Sequence, residues 1–270
     1  MMETTEGIVR WSASHWGAVI MTTLVTLAII GGALRRPLEV RQKVCRALAV
    51  VIGLIYLADS GFILITQPHG SWEQNLPLHY CSMMLLVAVY ALWSRNRTAC
   101  RVLYFGALTA CMQGLITPAL ERDFPTLRYF LFFCVHGILM PAALAVPLLL
   151  GMRARITDAL KSVLLMDAYL LCIHPLNLLL GTNYGFTTAS PVPGCILDYL
   201  GPAPQYYLLL QVPAFLLFCL MALPIRSRKS EKYTDGESQN AQNEPINENL
   251  ASRRRAENQP RQGRKNTSRG

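Results

Sequence analysis

Two pairs of residues in this chain combine a thiol with an imidazole, two positions apart. His79-Tyr80-Cys81 opens one apolar stretch, and Cys134-Val135-His136 lies inside another. A thiolate is a strong nucleophile, and an imidazole beside it can take its proton. Both stretches are predicted to enter a membrane from the same side, with a difference in depth between Cys81 and His136 of roughly 6 Å at 1.5 Å per residue. We therefore expect Cys81 to be a catalytic nucleophile and His136 its base, with a purely structural cysteine as the alternative.

The same spacing argues against a metal centre. Residues two positions apart on a helix point about 200° away from each other, so only one member of each pair can face a shared pocket. No carboxylate stands beside either pair to complete a ligand set. We therefore predict no metal site, and the sequence implies no soluble cofactor.

The position of Pro77 favours an activated thiol. Proline is well suited to the first turn of a helix, so a helix is predicted to begin near Pro77 with Cys81 about one turn inside it. The positive end of a helix dipole stabilises a thiolate. The sequence thus predicts that Cys81 lies in an environment that favours its reactive form.

Other polar residues inside the apolar stretches fall at a similar depth. Ionisable residues inside a membrane are rare and usually functional. Because no basic residue is expected at the depth of Asp59 and Asp167, we predict a histidine as their partner, so that either carboxylate would orient His136 or His174. Gln211 is predicted to lie at the same depth in the membrane. The candidates for orienting the base or binding substrate are His79, Asp59, Gln113, Asp167, His174, Asn177, Asn183 and Tyr184.

The elements that carry these residues are long apolar segments. The chain has 270 residues, of which 52% are hydrophobic. A bilayer core needs roughly 20 apolar residues in a helix, and only helices satisfy the backbone at this length and hydropathy. The predicted class is an all-α polytopic membrane protein with seven transmembrane helices. The predicted spans are 16–34, 44–66, 76–93, 102–120, 127–150, 159–180 and 203–225.

Basic residues alternate between the connections. Lys and Arg are concentrated in the connections 35–43, 94–101 and 151–158, while the intervening ones hold almost none. Basic loops stay in the cytoplasm. This predicts an N-terminus outside, a C-terminus in the cytoplasm, and polar candidates in the outer half of the bilayer. An integral multi-pass protein of the plasma or cell membrane is expected.

Composition divides the chain into residues 1–225, a seven-helix transmembrane domain, and residues 226–270, a basic cytoplasmic tail. The tail is rich in Asn, Gln, Ser, Arg and Glu and is predicted to be disordered. It carries over half of the excess in a net charge of +9, so that charge does not indicate a nucleic-acid partner. The connection 181–202 is rich in Gly and Pro and is interpreted either as a lid over the site or as a plain connector.

Most cysteines are expected to be small buried hydrophobes rather than functional groups. This applies to those in or beside apolar spans other than Cys81, including Cys111. Cys195 lies in the connection 181–202 without an obvious partner, so no disulfide framework is predicted.

Several ordered blocks resemble the YwaF-like family of integral membrane proteins over residues 76 to 207. The resemblance rests on the set of blocks in their order. They are Leu76-Pro77-Leu78-His79-Tyr80-Cys81, Tyr104-Phe105-Gly106, Gln113-Gly114-Leu115-Ile116-Thr117-Pro118, Phe124-Pro125, Phe132-Phe133 with His136-Gly137, Asn177 with Gly181-Thr182-Asn183-Tyr184, and Gly201-Pro202-Ala203-Pro204-Gln205-Tyr206.

That family is distantly similar to an animal group of multipass acyltransferases that act on ether phospholipids. The group carries an Asn-Pro-Cys-His element and a later His-Ala within a transmembrane helix. Cys81 matches the cysteine and His136 matches the later histidine, while Ser82 rather than histidine follows the cysteine here. The resemblance implies an acyl-cysteine intermediate and a histidine base.

The resulting hypothesis is a membrane acyltransferase that moves a fatty acyl chain from or to a phospholipid, its only expected partner. The alternative is a transporter or lipid-binding membrane protein with a polar cavity in the outer half, and a third interpretation is a scaffold. A transporter needs polar residues on the cytoplasmic side too, where only Arg46 and Lys161 occur near the ends of the spans. The sequence does not set the oligomeric state, the acyl donor or the acceptor.

Overall fold

The computed structural model describes residues 10–66, 72–120 and 122–225, and within these ranges the chain is helical without a strand. Six helices are long and apolar enough to cross a membrane, and a seventh apolar helix, α3, has 15 residues. The helices are α1 (Ala13–Leu34), α2 (Leu38–Thr66), α3 (Tyr80–Ser94), α4 (Arg97–Ile116), α5 (Leu127–Leu148), α6 (Ile156–Leu180) and α7 (Tyr206–Ala222). The predicted tail 226–270 lies outside the described residues.

Several helix ends differ from the apolar boundaries because polar residues cap the helices. α1 begins at Ala13, where the Ser12 side chain accepts a hydrogen bond from the His15 N–H. α4 begins at Arg97 rather than at residue 102, and the Asn96 side chain accepts from the Ala99 N–H. Capping satisfies N–H groups that the helix leaves free, so the helical conformation extends beyond the apolar residues.

α3 begins later than predicted, at Tyr80 instead of residue 76. His79 is the N-cap residue with an extended backbone, φ −60° and ψ 145°. The Met83 N–H donates to the His79 carbonyl at 3.0 Å, which closes the first turn. Pro77 therefore precedes the helix, and Cys81 is its second residue.

α5 is the inner helix of the bundle. It contacts α1, α2, α3 and α4, whereas α7 packs mainly on α6. Of the 18 most apolar consecutive residues of each helix, 56% are buried in α5 and 50% in α4, against 11–17% in α1, α2, α6 and α7. The outer helices expose large apolar side chains such as Leu57, Leu171 and Leu208. A bilayer would cover such a surface, while the inner helices hold the groups described next.

The long-range contacts define two ends of the bundle. At one of them, called the site end here, α1, α3, α5 and α7 begin and α2, α4 and α6 end. The Ser14 hydroxyl there donates to the Asp123 carboxylate at 2.8 Å, and the Tyr129 hydroxyl donates to the Ser14 carbonyl at 2.6 Å. At the opposite end Arg101 forms an ion pair with Asp158 at 3.0 Å.

Candidate functional site

Cys81 stands in the first turn of α3, two residues after the N-cap residue His79, whose backbone is extended. N–H groups of a first helical turn have no partner within their own helix, and together they form the positive end of the helix dipole. The Cys81 sulfur is therefore placed where a negative charge is stabilised. The predicted proximity of Cys81 to a helix start holds, although the helix starts at Tyr80 and not near Pro77.

His136 has a defined orientation in α5. Its Nδ1 lies 2.8 Å from the carbonyl oxygen of Phe132, one helical turn earlier. A carbonyl oxygen only accepts, so Nδ1 carries the hydrogen, and Nε2 of the neutral ring presents a lone pair. The Phe132 ring packs against the imidazole with 4.3 Å between centroids. A backbone carbonyl thus fixes the tautomer that a general base requires.

Cys81 and His136 meet inside the bundle. The Cys81 thiol is within hydrogen-bonding reach of the His136 imidazole. Since Nδ1 is engaged by Phe132, Nε2 is the nitrogen with a free lone pair to accept the thiol hydrogen. This is the nucleophile–base arrangement of covalent catalysis, with the Phe132 carbonyl as the third, orienting group.

Gly114 makes room for the imidazole. A Cβ at this position would lie 2.5 Å from His136 Nε2 and 3.0 Å from its Cγ, so no larger residue fits without displacing the ring. Gly114 lies in the last part of α4, Met112–Ile116, which therefore packs its backbone directly against the histidine. The close approach explains a glycine inside a helix, where it otherwise lowers stability.

Cys111 is a third member of the cluster that sequence reasoning missed. It is 0% exposed, and its thiol is within hydrogen-bonding reach of Cys81. It ends a π-helical turn, Ala107–Cys111, in the middle of α4. Its depth near the site end was the available signal, since Cys111 and Cys81 both lie within a few residues of that end of their helices.

Two tyrosines fix the segment before α3. The Tyr169 hydroxyl of α6 donates to the Leu78 carbonyl at 2.7 Å, and the rings of Tyr80 and Tyr169 are 5.3 Å apart. Gly106 lets the Tyr80 side chain approach α4, because a Cβ there would lie 2.5 Å from the Tyr80 hydroxyl oxygen. The start of α3, and with it Cys81, is therefore held between α4 and α6.

In the part of the chain that the structure describes, the two carboxylates have hydrogen-bond partners other than the predicted histidines, although Asp59 interacts electrostatically with His136. Asp59 forms an ion pair with Arg128 at 2.8 Å, and Asp167 accepts a hydrogen bond from the Gln211 amide at 2.8 Å. Arg128 stands at the start of α5 and reaches the depth of Asp59, which is why the expectation of no basic residue there was wrong. Among the described residues, Nδ1 of His174 is buried without a partner.

Asn177 organises the connection 181–202 instead of facing the cluster. It is 1% exposed, and its amide nitrogen donates to the Tyr184 carbonyl and the Thr187 hydroxyl, both at 2.7 Å. Its amide oxygen accepts from the Thr182 hydroxyl at 2.8 Å and from the Tyr184 N–H at 2.9 Å. Asn183 likewise bonds Thr188 and Ala189.

Tyr184 ties that connection to the segment before α3. Its hydroxyl donates to the Glu73 carbonyl and accepts from the Leu76 N–H at 2.8 Å. Burial raises the pKa of the Tyr184 hydroxyl, so it keeps its hydrogen as a donor. Tyr206 and Tyr207 of α7 donate to the carbonyls of Phe186 and Gly185. The connection 181–202 is thus bonded at several points rather than free.

A polar cavity of ≈ 370 Å³ lies between this connection and the segment before α3. Its lining includes Gln74, His79, Thr182, Asn183, Tyr184 and Thr188. His79 packs its ring against Tyr184, with 5.0 Å between centroids. The prediction that His79 and Cys81 face opposite sides assumed one helix, but His79 precedes α3, lines the cavity and interacts electrostatically with Cys81. Gln113, another candidate, is exposed and two residues beyond Cys111.

Comparison with known proteins identifies the family to which the chain belongs. A model of the TMEM164 family matches residues 10–222. An uncharacterized protein of Treponema pallidum (strain Nichols) is 27% identical over 222 residues, which cover 81% of this chain and 90% of the relative. No solved structure matches. The family match includes every residue of the Cys81, Cys111 and His136 cluster, and the chain belongs to the TMEM164 family.

Proposed function

We propose that this protein is a membrane acyltransferase that moves a fatty acyl chain from or to a phospholipid through a thioester on Cys81. The observation that carries the proposal is the Cys81 thiol within reach of a histidine whose Nδ1 is held by the Phe132 carbonyl. A nucleophile, a base and an orienting group of the base form the general arrangement for covalent acyl transfer. The similarity of the Cys81 and His136 blocks to multipass acyltransferases adds support.

The first half-reaction transfers the acyl chain to sulfur. His136 Nε2 takes the Cys81 hydrogen, and the thiolate attacks the ester carbonyl carbon of the phospholipid. The C–S bond forms while the C–O bond to the glycerol oxygen breaks. The protonated His136 gives its hydrogen to the departing oxygen, which leaves a lysophospholipid hydroxyl. The second half-reaction reverses these steps with an acceptor hydroxyl.

The negative charge that develops on the carbonyl oxygen needs donors. The backbone N–H groups of the first turn of α3, including those of Cys81 and Ser82, have no acceptor within the helix and point toward the site end. They are the proposed oxyanion donors. The Asn177 and Tyr184 side chains are not assigned this task, because their hydrogen bonds hold the connection 181–202.

The proposed topology has seven spans, with the N-terminus outside and the C-terminus in the cytoplasm of a plasma or cell membrane. The 15 residues of α3 cover about 22 Å, and the non-helical residues 76–79 before it would supply the remainder of a core of about 30 Å. Non-helical backbone at this depth is tolerated where it lines a cavity, as His79 does. Arginines at the opposite end, among them Arg36, Arg95 and Arg153, favour its cytoplasmic location.

The function is tested with the full chain in liposomes that contain a phospholipid with an isotope-labelled acyl chain and an unlabelled lysophospholipid. Wild type is expected to transfer the label to the lysophospholipid, and Cys81→Ser and His136→Ala to lose the transfer. Label that crosses the bilayer without changing its glycerol backbone would instead support the transporter hypothesis. Transfer that persists in Cys81→Ser at the wild-type rate would contradict the proposal.

The topology is tested by cysteine accessibility in sealed vesicles of known orientation. A single cysteine at Thr188, in the connection 181–202, is expected to react from the outside, and one at Asn96 from the cytoplasmic side. Reversed accessibility would place the site end in the inner half of the membrane and contradict the proposed orientation.

A further inference from the structure

We infer that Cys111 is a positioning residue. Its S–H group donates a hydrogen bond to the Cys81 sulfur once His136 has taken the proton of Cys81. The inference rests on the proposed function for its place in a reaction, and the contacts that support it are independent of any substrate. The Cys111 thiol is within hydrogen-bonding reach of Cys81, and the residue is 0% exposed.

The π-helical turn of α4 supports a specific role for Cys111. Such turns insert one residue into a helix and occur frequently at functional sites. This turn, Ala107–Cys111, ends at the cysteine, and Gly114 follows three residues later on the same face. The face that brings Cys111 to Cys81 therefore also brings Gly114 to the His136 ring. One local feature of α4 places both contacts of the cluster.

The chemistry of the pair is asymmetric. The Cys81 sulfur lies in a first helical turn and beside an imidazole, so it is the thiol that loses its hydrogen. Cys111 lies in the interior of α4 among buried apolar side chains, where a thiol stays protonated. An S–H group is a weak donor to a neutral acceptor but a stronger one to a charged sulfur. The Cys111 donor thus stabilises the Cys81 thiolate selectively and does not compete with it as a nucleophile.

Cys100 provides the matched control. It lies on the same helix and is likewise 0% exposed, but its thiol donates to the Ala91 carbonyl at 3.4 Å, away from the cluster. Loss of either thiol removes one buried sulfur from α4. Only the loss of Cys111 removes a donor to Cys81.

The test measures the alkylation of Cys81 by iodoacetamide in the full-length protein between about pH 5 and 10, read by mass spectrometry of the Cys81 peptide. Cys111→Ala is expected to lower the rate at pH 7 about tenfold, because hydrogen bonds to charged groups are strong. The midpoint of the pH profile should move to higher pH, and the rates of variant and wild type should converge at the alkaline end. Cys111→Ser keeps a donor and is expected to follow wild type, as is Cys100→Ala.

Three outcomes would overturn the inference. They are a Cys111→Ala profile identical to wild type, an equal shift in Cys100→Ala, and a Cys111→Ala rate that stays low at the alkaline end, which would indicate a displaced Cys81. If Cys111→Ala does not fold, the infrared S–H stretching band of Cys111 in wild type decides. The band should move to lower frequency as Cys81 ionises, because a stronger hydrogen bond weakens the S–H bond. A band position that does not change with pH would contradict the donor role. The alkylation assay uses no lipid, so a failure of the Cys111 inference can be told apart from a failure of the proposed acyl transfer.

Discussion

Gly114→Ala tests the geometry of the base with a single methyl group. The added Cβ would lie 2.5 Å from His136 Nε2, whereas carbon and nitrogen atoms in contact prefer about 3.5–4.0 Å. The ring is held on its other side by the hydrogen bond to Phe132 at 2.8 Å and by the Phe132 ring, so it cannot withdraw without losing that bond. The methyl group must therefore displace Nε2 from Cys81.

The expected magnitude follows from the loss of a general base, which typically contributes about 10²–10⁴-fold to a rate. Acyl transfer is expected to fall about 10²-fold or more, and Cys81 alkylation at pH 7 to slow as well. The cost in stability should stay at about 1–3 kcal/mol, as for other overpacked interiors. The assays are label transfer in liposomes, alkylation of the Cys81 peptide and thermal unfolding in detergent.

Gly61→Ala is the control because a Cβ at Gly61 meets no atom within 4 Å. It makes the same chemical change in α2 and should leave transfer and alkylation unchanged, with a stability gain of about 0.5–1 kcal/mol from the helix propensity of alanine. Wild-type transfer and alkylation in Gly114→Ala would refute the placement of the His136 ring against α4.

Three further predictions address the surroundings of the pair. His136→Ala should abolish transfer with stability nearly kept, whereas Cys134→Ala should have little effect, because Cys134 is exposed on another face of α5; the reverse ranking in the transfer assay would mean that the wrong face was chosen. Asp59→Asn should lower the stability measured in detergent by about 1 kcal/mol, because it removes the ion pair with Arg128. The effect should be smaller at high salt, since Arg128 is 40% exposed. Loss of Cys81 alkylation in this variant would contradict a purely structural ion pair. Asn177→Ala removes four buried hydrogen bonds and should cost about 3–5 kcal/mol and make the connection 181–202 sensitive to protease; an unaltered digestion pattern would contradict its organising role.

Helix existence was predictable from the sequence, while several helix ends were not. Long apolar segments have one stable conformation in lipid, so each predicted span corresponds to a helix. The ends depend on capping groups such as Ser12 and Asn96 and on prolines. α4 ends at Ile116 instead of residue 120 because Thr117 precedes Pro118, and a residue before proline avoids the helical conformation.

The pair Cys81 and His136 could be singled out from depth and residue type, but its supporting groups could not. The orienting group of His136 is a backbone carbonyl, which no residue type in the sequence reveals. Cys111 was interpreted as a buried hydrophobe, because an ordinary helical period gives no account of the π-helical turn that sets its direction. Arg128 was overlooked as a partner of Asp59, since it stands at the predicted edge of its span and its long side chain carries the charge inward.

The central claim is an acyl chain on Cys81, and mass spectrometry of the intact protein and of its Cys81 peptide measures it most directly. Wild type incubated with the labelled phospholipid and no acceptor should gain the mass of one acyl group on the Cys81 peptide, removable by hydroxylamine as expected for a thioester. Cys81→Ala should lack the adduct and transfer no label. Label transfer by Cys81→Ala at the wild-type rate, with no adduct on Cys81 in wild type, would contradict the account.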